Sequence, residues 1–231
     1  MVSHLAVIGA LIYRTREALN KRRKGEATTD FYKGVSHNYK YWDTLFCEED
    51  KMHLWHFAGT EQEITTTLET LAKGHGTLGA KLTFPCIFNY QSVYEHHGLT
   101  GSEGFVQLDL NLAIACPVDS NWTAEQRDRI AHKWVLEPIY DEFINQARKS
   151  GWFRFAMDEG FKFTRMKVFA VGTSFRMAIK NQYGWYIDVI QIGNFKPMLN
   201  SNLCEDEIKK IEHEATLVTD VPLINNLRTN K

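Results

Sequence analysis

The sequence predicts an α+β fold: a small, mainly antiparallel β-sheet flanked by helices, with an N-terminal helical arm and a C-terminal extension. Large apolar residues alternate with mostly polar or small residues along residues 105–116, which indicates a long strand. Capping signals followed by apolar residues at helical spacing begin at Thr60 and at Thr123. The chain has 231 residues, of which 44% are hydrophobic, and this is enough for a core of ordinary size.

The first predicted helix begins after Ser3 and runs to about Lys24, where Gly25 ends it. Its apolar start, VSHLAVIGALIY, is too short to span a bilayer and lacks the flanks of a signal peptide, so we expect no membrane insertion. Residues 1–24 carry a net charge of +5 and the remainder carries −6. We predict that residues 1–59 form a helical arm followed by an irregular aromatic segment.

The end of this helix carries a compact basic cluster, whose members are Lys21, Arg22, Arg23 and Lys24. Positive charge suits the C-terminal end of a helix dipole, and it also suits contact with phosphate groups. Because the rest of the chain is acidic, a solvated helix end is favoured over dedicated nucleic-acid binding. Sequence-specific recognition of DNA is not expected.

A helix of residues 60–74 opens the predicted core, and Thr60 and Glu63 form its capping box. A strand at 82–90 follows, and we expect it to pair antiparallel with the strand at 105–116. A long loop, EHHGLTGSEG, separates these two strands.

The next predicted helix covers residues 123–149, where Thr123 and Gln126 form a second capping box. Pro138 should kink or split this helix. Further predicted elements are strands within 152–173 and 183–192, the turn NQYG between the last two strands, and a helix at about 203–215. The core therefore covers residues 60–192, and a C-terminal helix and tail occupy residues 193–231.

The strand at 105–116 has two chemically different faces. Its apolar face is predicted to bury against the helix of 123–149, and it consists of Val106, Leu108, Leu110, Leu112, Ile114 and Cys116. The other face presents Gln107, Asp109 and Asn111 in a row. These short polar side chains are followed by alanines, which leave room for another chain, so we predict that this face borders a neighbouring subunit. A plainly solvated strand face is the alternative.

Two patterns are typical of cofactor or metal sites, but their context argues against both. GHGTLG at 74–79 matches a dinucleotide-binding loop, yet it follows a helix, whereas that loop must open one. His53 and His56 have HxxH spacing, but no further ligands occur at a recognisable spacing. No pattern places three candidate acid–base carboxylates in one cleft: Asp109, Asp158 and Glu159. We therefore predict no catalytic, cofactor-binding or metal-binding residues.

The four cysteines, at positions 47, 86, 116 and 204, are far apart and form no CxxC pair. This spacing is typical of neither a zinc ribbon nor a disulfide-stapled secreted domain. We expect synthesis in a reducing cytoplasm.

Residues 60–192 as a whole carry a resemblance to a known family. The Gly-rich loop is followed by FPCIFNYQSVYEHHG, the strand GFVQLDLNLAIACP, the helix DSNWTAEQRDRIAHKWVLEPIYDEFINQARKS and a return strand. This order resembles the head–tail connector and tail-terminator family of tailed bacteriophages. More narrowly, it is similar to the virion ring proteins of crAss-like phages that infect Bacteroides.

The resemblance implies a non-enzymatic structural protein of the virion, made in the host bacterial cytoplasm and located in the head–tail connector or tail. It implies a homo-oligomeric ring around the DNA channel, with twelvefold symmetry favoured and sixfold possible. Its neighbours would be the portal and other tail or ring proteins, with the basic cluster at an assembly surface or facing the channel. The alternative is an intracellular phage-encoded nuclease or hydrolase that uses His96, His97 and nearby carboxylates.

Overall fold

The computed structural model describes residues 2–23, 47–48, 51–60, 62–64, 66–67, 84–90, 94–96, 104–119, 122–155, 162–166, 185–193 and 195–219. Helices and antiparallel-rich sheets confirm the predicted α+β class. The strands in these ranges are β1 (Cys47–Glu48), β2 (Lys51–Met52), β3 (Trp55–Gly59), β4 (Cys86–Tyr90), β5 (Tyr94–His96), β6 (Phe105–Asp109), β7 (Leu112–Asp119), β8 (Phe153–Arg154), β9 (Lys162–Met166), β10 (Trp185–Gly193) and β11 (Met198–Asn200).

Three long helices pack with these strands. They are α1 (His4–Arg23), α2 (three consecutive segments, Ala124–Gln126, Arg127–Leu136 and Glu137–Lys149) and α3 (Glu205–Thr219). Residues 62–64 and 66–67 are also helical, and Thr60 and Glu63 form the predicted capping box. The remainder of the helix predicted to end at Gly74 lies outside the described residues.

The described strands form two larger sheets and one short pair. The five-stranded sheet has the order β3-β4-β7-β10-β9, and the four-stranded sheet has the order β5-β6-β11-β8. Every pairing is antiparallel except that of β3 with β4. The predicted antiparallel pairing of the strand at 82–90 with the one at 105–116 is confirmed, because Ile87 of β4 lies opposite Ile114 of β7.

The long alternating stretch is divided between the two sheets. Up to Leu110, its backbone bonds to the segment of β11, and the N–H of Leu110 donates to the carbonyl of Phe195 at 3.3 Å. From Asn111 onward it bonds to β4, since the N–H of Tyr90 donates to the Asn111 carbonyl at 3.1 Å. The prediction of a single strand in one sheet was therefore wrong. The alternation continues through the change of partner, because all six members of the predicted apolar face are buried.

The second half of the stretch is buried on both faces. Leu112, Ile114 and Cys116 lie on the side of the five-stranded sheet where the middle segment of α2 packs. On the opposite side, Ala113 and Ala115 have no exposed surface. The expectation that these alanines leave room for another chain was wrong, because the protein covers them itself.

Helix α1 belongs to the core. Five of its apolar side chains have no exposed surface: Val7, Ile8, Ala10, Leu11 and Ile12. The helix packs against α3, α2 and β3. A Cβ atom on Gly9 would lie 2.9 Å from the Cβ of Ala215, so glycine is what allows α1 and α3 to approach this closely.

The predicted N-terminal arm was therefore wrong, because α1 does not project from the protein. Strand β3 and helix α3 also contribute to the common sheets and core, so the predicted limits at residues 59 and 192 do not separate structural units among the described residues.

Helix α2 begins as predicted and then changes its winding. The N–H of Thr123 donates to Gln126 Oε1 at 2.8 Å, and the N–H of Gln126 donates to Thr123 Oγ1 at 3.2 Å. The segment Arg127–Leu136 is a π-helix, in which the N–H of Glu137 donates to the carbonyl of His132. Pro138 follows immediately, and since it has no N–H, it cannot donate to the carbonyl four residues earlier. In the wider winding of a π-helix, each backbone N–H donates to the carbonyl five residues earlier.

Candidate protein interface

In the strands β6, β8 and β11 of the four-stranded sheet, one face is buried and the other is partly exposed. Its buried side chains are Val106, Leu108, Phe153 and Leu199. The register places Met198 opposite both Gln107 and Arg154, and Asn200 opposite Phe105. The accessible side chains of these three strands are therefore on one surface, here named the outer face, which consists of Phe105, Gln107, Asp109, Arg154, Met198 and Asn200.

Two contacts organise the outer face. The guanidinium carbon of Arg154 lies 4.2 Å from the ring centroid of Phe105, which is a cation–π contact. At the other end of β6, Lys196 Nζ lies 3.0 Å from Asp109 Oδ2. The charge of Asp109 is thus matched within the chain. The centre of the face is formed by Gln107 and Met198, which carry no charge.

The composition of the outer face resembles that of protein interfaces. Aromatic residues, methionine and arginine are enriched at such interfaces relative to other surfaces, whereas lysine, glutamate and aspartate are depleted, and Asp109 lies at the end of the face. Phe105, Arg154 and Met198 match this enrichment. The half-buried amide of Gln107 lies between them and can hydrogen-bond to a partner.

Of the predicted polar row, Gln107 and Asp109 lie on the outer face. Asn111 lies where the chain passes from one sheet to the other, and it is half-buried. The sequence did not indicate Arg154, Met198 or Asn200, because only the pairing of β11 with β6 and β8 brings them to this face.

The predicted basic cluster does not form one open patch among the described side chains. Lys21 is exposed, but Arg22 points inward, and its Nη1 lies 2.5 Å from Oε2 of Glu142. The Glu142 side chain is 2% exposed, and it also accepts a hydrogen bond from Gln146 Nε2 at 2.6 Å. Arg22 therefore joins α1 to α2. The side chain of Arg23 and all of Lys24 lie outside the described residues.

A second buried ion pair joins α2 to the five-stranded sheet. Asp188 of β10 has no exposed surface, and Arg127 Nε donates to its Oδ2 at 3.0 Å, while Arg127 Nη2 contacts Oδ1. His132 Nε2 lies 3.6 Å from the same Oδ2. Cys116 lies opposite Asp188 across the strand pair. Burial and the charge of Asp188 raise the pKa of the Cys116 thiol, so it remains protonated and is a poor nucleophile.

The two histidines with HxxH spacing have separate roles. The ring of His53 stacks on Trp55 with 5.4 Å between centroids. His56 is buried in β3, and burial lowers its pKa to about 4, so it is neutral near pH 7. In the described part of the chain, no group of three or more His, Cys, Asp or Glu residues could hold a metal ion.

The other candidate residues for chemistry are not positioned by the structure. The backbone of His96 lies in β5, opposite Gln107. His97, Asp158, Glu159 and the GHGTLG loop lie outside the described residues, as does the NQYG turn.

Comparisons with known proteins yield no relative. No protein-family model, no curated protein and no solved structure matches this chain. Within the described ranges, no helix is long and apolar enough to cross a membrane.

Proposed function

We propose that this protein is a non-enzymatic structural subunit of a tailed-phage virion, which assembles into a homo-oligomeric ring in the head–tail connector or tail. The observation that supports the proposal is the outer face, an accessible sheet surface with Phe105, Arg154 and Met198 around a central amide. A ring is built from heterologous contacts, which require one surface on each flank of the subunit. The outer face is suited to be one of these two surfaces.

The buried charged groups also support a structural role. Arg22 with Glu142 and Arg127 with Asp188 each join two elements of the fold. The first pair fastens α1 to α2 and the second fastens α2 to the five-stranded sheet, which suits a rigid subunit. In the proposed ring, twelvefold symmetry is favoured and sixfold is possible. The portal and other tail or ring proteins are the neighbours, and packaged DNA passes nearby without sequence-specific contact.

A charge at the centre of the outer face tests the proposal. Gln107→Lys adds one positive charge opposite Met198 and leaves the Asp109 to Lys196 ion pair intact. The matched control is His213→Lys, which adds a lysine on the exposed side of α3. In cells infected with phage that lacks its own copy of the gene, each variant is supplied from a plasmid, and the protein is quantified in purified particles.

We expect both variants to fold, as judged by circular dichroism and thermal melting. Burying an unpaired charge in a contact costs several kcal/mol, so Gln107→Lys should be lost from particles by a factor of ten or more, while His213→Lys is incorporated normally. Equal incorporation of the two variants would mean that the outer face contacts only solvent.

A further inference from the structure

Two buried polar side chains lie on the helix-facing side of the five-stranded sheet. His56 of β3 lies opposite Ile87, and Asn89 of β4 lies opposite Ala58, so the two side chains are diagonal neighbours on the same face. A Cβ atom on Gly9 of α1 would lie 3.5 Å from His56 Nδ1, which places this ring beneath the crossing of α1 and α3.

Neither side chain has a hydrogen-bond partner among the described residues. This holds for both ring nitrogens of His56 and for both the nitrogen and the oxygen of the Asn89 amide. His56 is 4% exposed and Asn89 is 2% exposed. Buried polar atoms are nearly always satisfied in native proteins, and two adjacent residues with four unsatisfied atoms therefore require a partner that the described residues do not supply.

We propose that His56 and Asn89 bind one water molecule between them, forming an internal hydration site between β3 and β4 under helices α1 and α3. A neutral imidazole has one donor and one acceptor, and a carboxamide has both kinds of group. A water molecule both donates and accepts, so it can bridge either ring nitrogen to either amide atom. Buried waters of this kind make about three hydrogen bonds to polar groups that are otherwise unsatisfied.

The chemistry of the site excludes two other occupants. The low pKa of His56, caused by burial, keeps the ring neutral and leaves an anion without a positive charge to bind. A metal ion needs more ligands than one imidazole and one amide, and no metal-binding group occurs in the described ranges. Trp55 Nε1 also has no hydrogen-bond partner in the described part of the chain, but alternation along β3 places it on the opposite face of the sheet.

A crystal structure of the full chain at better than about 1.8 Å tests the proposal directly. We expect an electron-density peak at roughly 2.7–3.2 Å from one ring nitrogen of His56 and from one side-chain atom of Asn89. The absence of such a peak, or a direct hydrogen bond between the two side chains, would overturn it.

A double-mutant cycle with His56→Leu and Asn89→Leu tests whether the two residues share the water. Each single variant removes one hydrogen bond of the bridging water and leaves the other polar side chain less well satisfied. We therefore expect each single variant to lower Tm by roughly 3–10 °C. The double variant should lose clearly less than the sum of the two shifts. Additive Tm shifts would overturn the proposal. If a leucine variant does not fold, the electron-density peak in the crystal structure of the unmodified chain decides whether the water is present.

Discussion

Three carboxylates lie in the interior of the protein, and each contacts an arginine from a different element. Glu142 pairs with Arg22. Asp188 pairs with Arg127. Glu214 pairs with Arg14 at 2.8 Å, and the same guanidinium lies 4.0 Å from the ring centroid of Trp152. Each of these pairs therefore connects two elements of the fold.

The ion pair of Asp188 with Arg127 should contribute strongly to stability. Asp188→Asn leaves the half-buried guanidinium of Arg127 without its counter-charge, and breaking a buried pair in this way costs about 3–5 kcal/mol. The control Asp128→Asn removes an exposed carboxylate that contacts the exposed Lys133, and exposed pairs contribute about 1 kcal/mol or less. The free energy of unfolding in urea checks both values, and equal losses would contradict the structural role of Asp188.

His56 gives a prediction for the dependence of stability on pH. Its pKa is about 4 in the folded protein and 6.5 in an unfolded chain, so the unfolded state binds a proton first as the pH falls. Its contribution to stability is fully present above pH 6.5 and is lost as the pH falls from 6.5 to 4. At about 1.4 kcal/mol per pKa unit, the total loss is roughly 3 kcal/mol.

The measurement is the free energy of unfolding at pH values between 7 and 4.5 for the unmodified protein and for His56→Leu. The variant cannot take up this proton, so its stability should fall less steeply in that range. Curves with identical slopes would show that His56 is not buried in its neutral form.

At the scale of the elements, the crossing of α1 and α3 depends on one glycine. Gly9→Ala improves helix propensity by about 1 kcal/mol, but the new methyl group would lie 2.9 Å from the Cβ of Ala215. Overpacking of this kind costs about 1–3 kcal/mol, so we expect a net loss of stability in urea unfolding. Adding Ala215→Gly should restore part of the loss, and an increase in stability for Gly9→Ala alone would contradict the close packing.

The beginnings of helices were predictable because their signals are local. Thr123 and Gln126 form the capping box that their spacing indicates, and Thr60 and Glu63 do the same. The burial of α1 was missed, although a signal for it was present: apolar residues cover the helix from Val7 to Ile12 instead of forming one stripe. A helix that is apolar all round is usually a buried one.

The change of strand partner at Leu110 and Asn111 was not predictable from the sequence pattern. Alternation depends only on which side of the strand is buried, and that side stays the same through the change. Half of the candidate site was missed for a similar reason. Gln107 and Asp109 follow from local alternation, whereas Arg154 and Met198 join them only through pairings between strands distant in sequence.

At the scale of the whole molecule, the stretch from Phe105 to Asp119 connects the two larger sheets. Its first half contributes to the four-stranded sheet, whose outer face is accessible, and its second half crosses the five-stranded sheet, where the helices pack.

The most direct test of the proposed structural role is quantitative mass spectrometry of phage particles purified from cells that express this chain. The proposal predicts that the chain is present in a fixed ratio to the portal protein. If the portal is twelvefold, this ratio is one copy per portal subunit for a twelvefold ring or one per two for a sixfold ring. Absence of the chain from purified virions, or an amount far below these ratios, would contradict the proposed function.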